Sequence, residues 1–191
     1  MRERGFSLVE ALVALAIVMA MAAVALPSFL AYSAEAHLVS AGEEFRSRFR
    51  LACSQAVRSG AYTAIRFERR DDGTVQYAVY ADGNANGVRS ADILSGADRL
   101  VSGPFPLWGG APDVRVGINP GVPNLPPEGG ELSGDPVRFG RSDILSFSPL
   151  GTATPGTFYL AGQGAQAAVR VTGGSARVRL MIWRGGAWRE R

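Results

Sequence analysis

The sequence contains no lysine; all 20 of its basic residues are arginine. That excludes the lysine of a nucleotide-binding P-loop and any Schiff-base lysine. The single histidine, His37, excludes a multi-histidine zinc site and leaves little basis for histidine acid–base chemistry. The single cysteine, Cys53, excludes an intrachain disulfide and Cys-x-x-Cys redox chemistry. Charge is scarce too: 19% of the 191 residues are charged, against about 25% in an average soluble protein, and the net charge is only +3. Acidic residues such as Asp135 and Asp143 have no nucleophile or base at a diagnostic spacing, and Gly162-Gln163-Gly164 is too short for a phosphate loop. The common enzyme classes are therefore excluded, and the chain reads as a non-enzyme.

What is plentiful is apolar, and it is concentrated at one end. Between Phe6 and Tyr32, 23 of 27 residues are apolar, with Ala11–Leu26 an unbroken run of 16. Beyond residue 32 the fraction falls to 65 of 159, which is ordinary for a soluble domain. A helix from Phe6 to Tyr32 would be about 40 Å long and would exceed the ~30 Å hydrocarbon core of a bilayer. Arg2 and Arg4 precede it, which places the N-terminus in the cytoplasm and the remainder outside.

Three readings compete for this segment. A secretory signal would be cut after small residues, at Ala20-Met21-Ala22 or Ala23-Val24-Ala25; a plain single-pass anchor would be retained. Neither accounts for Glu10, a carboxylate at the start of the apolar run. Burying it in lipid costs on the order of 3 kcal/mol, and no basic side chain lies within the apolar stretch to pair with it. Its partner has to come from another chain or from a new terminus.

Gly5-Phe6-Ser7-Leu8-Val9-Glu10, followed by the long apolar run, closely resembles the leader and cleavage motif of type IV prepilins. The resemblance implies that a membrane-embedded prepilin peptidase cuts between Gly5 and Phe6 and methylates the new N-terminus at Phe6. It further implies that Glu10 pairs with the N-terminal amine of a neighbouring pilin subunit during assembly. A carboxylate and an ammonium, each costly alone in lipid, are far cheaper together.

After Pro27, which should kink or locally unwind the helix, the pattern resumes with a polar face. Leu38, Gly42, Phe45, Phe49, Ala52, Cys53 and Ala56 define one apolar stripe at three- and four-residue steps. Glu43 and Glu44 precede Arg46 and Arg48 at ion-pairing spacings, and Ser59-Gly60 ends the helix. Cys53 reads as a small buried hydrophobe on the stripe, and His37 as a residue beside it without a partner cluster. From Gly60 on, glycine and proline abound: 32 of the chain's 35 lie in the last 132 residues. Tyr62–Arg69 and Thr74–Ala81 flank Asp71-Asp72-Gly73 and predict a hairpin. Further strands are expected at Val114–Ile118, Ile144–Ser148, Thr157–Ala161, Ala167–Thr172 and Ala176–Trp183. Residues 119–136, with five prolines and four glycines, predict a long irregular loop. The expected class is α+β, a long N-terminal helix, half membrane-spanning and half amphipathic, packed on an antiparallel sheet domain. The expected divisions are a cleaved leader at 1–5, a transmembrane and assembly helix at 6–32, its amphipathic continuation at 33–59, and a periplasmic β-rich domain at 60–191.

A helix ending near "LACSQAVRSG", then a hairpin, then "FSPLGTATPGTFYL", is similar to the GspH/FimT family of minor pilins and pseudopilins. The similarity implies a filament subunit of a type II secretion pseudopilus or type IV pilus, residing first in the bacterial inner membrane. Major type IV pilins usually close a C-terminal loop with a disulfide, which one cysteine cannot do; this favours a pseudopilin or minor pilin.

Two further segments carry candidate sites. Asp82, Asn84 and Asn86, with Gly87, are spaced like the first half of a calcium loop. Asp92 would be the closing ligand, although it falls one residue before the position such loops use, which is Ile93. The same Asp, Asn and Gly residues also suit a tight strand connection. The C-terminus is basic: Arg177, Arg179, Arg184, Arg189 and Arg191 interleave with Trp183 and Trp188. One reading is DNA binding, with guanidinium groups beside stacking surfaces. Some FimT-like minor pilins resemble this in using a C-terminal arginine strand for DNA uptake, although Ser175-Ala176-Arg177-Val178-Arg179 lacks their adjacent glycine. The other reading makes Arg177 and Arg179 the solvated face of a strand whose inner face carries Val178 and Leu180.

Overall fold

A computed structural model describes residues 7–72, 74–107 and 113–191. Helix α1 (Leu8–Ser59) starts at Ser7, whose backbone is extended. The Val9 N–H donates to Ser7 Oγ (3.3 Å), and the Ser7 N–H donates to Glu10 Oε2 (3.0 Å). The two bonds satisfy N–H groups that the first helical turn leaves open. Gly60, at φ 66°, ends the helix in the left-handed conformation that glycine adopts without penalty. The helix runs unbroken through Pro27, so the local unwinding expected there does not occur. Its 52 residues extend about 78 Å.

The two halves of α1 meet different surroundings. From Ser7 to Tyr32 every residue is exposed. From Ala34 on, Leu38, Gly42, Phe45, Phe49, Ala52 and Ala56 are buried, which reproduces the expected stripe with one exception. Cys53 is half-buried at the edge of the stripe, and its partial burial pushes the thiol pKa up. Gly42 has a packing reason: a Cβ there would lie 2.6 Å from Leu180 Cδ1, so its absence lets β9 (Val178–Arg184) approach the helix.

Two antiparallel sheets cradle the second half of α1. The first contains β1 (Thr63–Arg69), β2 (Val75–Ala81), β3 (Arg99–Pro106) and β6 (Ile144–Phe147) in the order β3-β2-β1-β6. The second contains β4 (Arg115–Val116), β5 (Val137–Arg138), β7 (Gly156–Ala161), β8 (Gln166–Val171), β9 and β10 (Ala187–Glu190). Its order is β10-β9-β8-β7-β4, with β5 also paired to β7. The hairpin, β6, β7, β8 and β9 fall within two residues of their expected positions, and Val114–Ile118 contracts to the two-residue β4. Strands β3, β5 and β10, and the short helix α2 (Ser90–Ser95), were not expected. Strand β3 contains Gly103-Pro104 and Pro106 and has no buried residue, so it lacks the alternation that marks a strand.

Alternation sorts the second sheet into two faces. Phe158 and Leu160 of β7, Val169 and Val171 of β8, and Leu180 and Ile182 of β9 join the core against α1. Tyr159, Ala168, Met181 and Trp183 point the other way, where Val122, Leu125 and Leu132 of the 119–136 segment cover them. That proline-rich segment is thus the cover of a second small core. Gln166, fully buried, fastens it: its Nε2 donates to the carbonyls of Gly117 and Leu160, each at 2.9 Å, and its Oε1 accepts the Asn119 N–H at 2.8 Å.

The centre of the main core is aromatic. Phe45 and Phe49 of α1 meet Phe158 and Phe67 at ring separations of 4.8 and 6.2 Å, and Phe139 lies 5.9 Å from Phe49. The cluster ties helix to both sheets. Phe49→Ala is therefore expected to cost about 3–5 kcal/mol in a urea denaturation of the full chain; a loss below ~1 kcal/mol would contradict this packing.

Candidate functional site

Three places hold the residues singled out from the sequence. The first is the start of α1. Gly5 and Phe6 lie outside the described residues. Glu10 is exposed in the first turn, and its carboxylate accepts the Ser7 N–H. No Lys, Arg or His lies between Ser7 and Ala36, so the long exposed apolar stretch offers this carboxylate no cationic side chain of its own.

The second is the Asp82 loop. Asp82 accepts the N–H groups of Asn84 (3.0 Å) and Gly87 (2.8 Å), one on each carboxylate oxygen. Asn84 Oδ1 in turn accepts the Asn86 N–H at 3.3 Å. Asp98, only 2% exposed, accepts the N–H groups of Gly83 (3.2 Å) and Arg89 (2.9 Å). Asp92 stands in the first turn of α2, where its carbonyl accepts the Asp98 N–H. The carboxylates of Asp82 and Asp98 are thus committed to the backbone, as a tight strand connection requires. Among the described residues no group of three or more His, Cys, Asp or Glu is arranged to hold a metal. Asp98, which has no motif around it, is the organising acid that sequence reasoning missed.

The third is the arginine-rich C-terminus. Arg177 and Arg179 share Glu190, at 3.6 and 3.8 Å. Arg184 and Arg191 share Glu35 of α1, Arg184 on Oε2 and Arg191 at 3.8 Å from Oε1. Arg189 has no carboxylate within ion-pairing distance among the described residues. The two tryptophans pack on the second core, and Trp188 Nε1 donates to the Pro123 carbonyl at 3.0 Å. Arg177, just before β9, is exposed, Arg179 is half-buried, and their neighbours Val178 and Leu180 are buried. Further along β9 the face of Arg179 carries Met181 and Trp183, which the 119–136 segment covers, so that face is solvated only at its start. His37, read from the sequence as lacking a partner cluster, has one carboxylate, Asp113, at 3.0 Å from its Nδ1. Glu35 and Asp113 were not foreseen, because each contact joins residues far apart in sequence.

Removing the buried Asp98 carboxylate takes the acceptor from the Gly83 and Arg89 N–H groups of an otherwise exposed loop. Asp98→Ala is expected to lower stability by about 1–3 kcal/mol in denaturant melts. Millimolar calcium or a chelator is expected to leave the melting temperature of the full chain unchanged; a calcium-dependent rise would show that the loop binds the ion.

Comparison with known families agrees with this geometry. A family described as type II transport protein GspH matches residues 41–176, and the prokaryotic N-terminal methylation motif matches residues 1–26. No curated protein and no solved structure matches the chain. The first match takes in most of the packed half of α1, the first sheet and β4, β5, β7 and β8 of the second, stopping before β9; the second takes in Glu10 and most of the exposed apolar helix. The chain belongs to the GspH family: it is a pseudopilin or minor pilin, a structural subunit anchored in the inner membrane by the apolar half of α1.

Proposed function

We propose that the mature subunit begins at Phe6, after a prepilin peptidase removes residues 1–5, and that Glu10 receives the N-terminal amine of a neighbouring subunit as α1 enters a type II secretion pseudopilus. The observation that carries this is Glu10 itself, an exposed carboxylate that accepts the Ser7 N–H. A carboxylate moved with its helix among other apolar helices is stabilised by one desolvated ammonium, and each subunit would bring one. In this reading residues 6–32 span the membrane and then line the filament, residues 33–59 continue the helix, and residues 60–191 form the periplasmic domain. Arg2 and Arg4 hold the leader on the cytoplasmic side.

The match to the type II transport family supports a secretion pseudopilus over other filaments that share the leader. DNA as a partner would rest on Arg177, Arg179, Arg184, Arg189 and Arg191. Four of these stand beside Glu35 or Glu190, which offset part of the segment's positive charge.

Intact-mass analysis of the processed protein is expected to find an N-methylated Phe6 start; any other start sinks the processing step. Glu10→Ala is expected to leave cleavage intact while lowering incorporation into sheared filaments at least about tenfold, the factor carried by 1.4 kcal/mol. Incorporation at the normal level would remove the pairing role.

A further inference from the structure

The β9–β10 hairpin turns through Gly185 and Gly186, both at positive φ (61° and 88°), the conformation of a tight two-residue connection. Arg184 and Ala187 face each other at its tip. The tip meets α1 at Glu35, where Arg184 and Arg191 converge on one carboxylate. Glu35 lies three residues beyond Tyr32, about 4.5 Å further along the helix axis, so the contact sits at the end of the exposed apolar stretch.

Two adjoining clefts open at this point, of about 360 and 510 Å³. They share Glu35, Arg184 and Arg191; Arg189 lines the first and Tyr32 the second. Two guanidinium groups, those of Arg184 and Arg191, flank the Glu35 carboxylate, Arg189 lines the first cleft beside them, and the Arg191 main-chain oxygen is already held by Arg46 at 2.9 Å. The side chains of Arg184 and Arg191 are 55% and 58% exposed, so their pairing with Glu35 contributes little to stability. Each guanidinium carries five N–H donors, most of them unused here. Arginine presents those donors in a fork that fits phosphate oxygens two at a time.

We propose that this cluster binds the phosphate of an anionic phospholipid in the outer leaflet of the inner membrane. The inference rests on residues 6–32 being the membrane span. Position decides the ligand class: a positive cleft one helical turn above the hydrocarbon boundary, edged by a tyrosine, meets headgroups before any soluble anion. Bound there, a headgroup seats the domain against the bilayer and orients the subunit before its helix is withdrawn. Withdrawal moves Glu35 away from the headgroups and releases the lipid.

The test uses the full chain. Flotation with phosphatidylcholine vesicles first checks the span; a chain that does not float ends both the membrane reading and this proposal. Native mass spectrometry in detergent then offers equal phosphatidylglycerol and phosphatidylcholine. At least about a tenfold preference for phosphatidylglycerol is expected. It should fall to parity in the variant Arg184→Gln/Arg189→Gln/Arg191→Gln and persist in Arg58→Gln/Arg70→Gln, whose arginines lie elsewhere. Glu35→Gln, which frees two guanidinium groups, should strengthen the preference, a change that a merely structural ion pair would not produce. Equal binding of the two lipids in the native chain overturns the proposal, as does a preference that survives the triple variant or fails to rise in Glu35→Gln. Displacement of the lipid by equimolar inorganic phosphate would identify a free-anion site instead. Displacement by a short DNA duplex would identify a nucleic-acid site.

Discussion

The constraint on which the rest of this structure depends is that one unbroken helix has to satisfy two solvents. Up to Tyr32, α1 presents apolar side chains all round; from Ala34 it presents a single apolar stripe, and two sheets cover that stripe. The change occurs within two residues and with no break in the hydrogen-bonded helix. A stripe that narrow permits one rotation of the helix relative to the domain. The packed half of α1 is therefore phased against the β-rich domain, and the exposed apolar half continues from it in the same helix.

That phasing is built from close fits. Gly42 brings β9 against the helix, Phe45 and Phe49 interlock with aromatic rings from both sheets, and the Arg184–Glu35 contact sits at the membrane end of the same interface. The outer face of the second sheet is sealed separately, by the 119–136 segment that Gln166 and Asn119 fasten down. The layout is that of a structural subunit, as in the family to which the chain belongs. It suits a subunit whose work is to be held in lipid, withdrawn and stacked, with the chemistry of processing supplied by another protein.

Much of this was legible in the residues, and what was not has identifiable causes. The leader could be read because glycine, aromatic, hydroxyl and glutamate occur in a fixed order, and the stripe because helical spacing repeats over seven positions. Strand β3 was hidden because an edge strand with two prolines and no buried residue carries no period-two signal. The Asp82 loop was half legible: its turn residues were visible, whereas Asp98, which closes it, lies outside the motif and acts only through the folded backbone. The arginines were visible as a basic segment. The carboxylate that Arg184 and Arg191 share was not, since Glu35 lies far from both in the sequence. Contacts of that span depend on how the sheets wrap the helix, which local pattern does not encode.

The division of α1 is tested most directly by a site-directed spin-label scan of the full chain in a phospholipid bilayer, taken from Leu12 to Ala56 with Cys53 replaced. Oxygen accessibility should be high at every position through Tyr32. Beyond Ser33 it should fall and oscillate with the helical period, with minima at Leu38, Gly42, Phe45 and Phe49. A profile that oscillates through residues 12–32, or stays flat and high beyond residue 33, would contradict the assignment of one half to lipid and the other to the domain core.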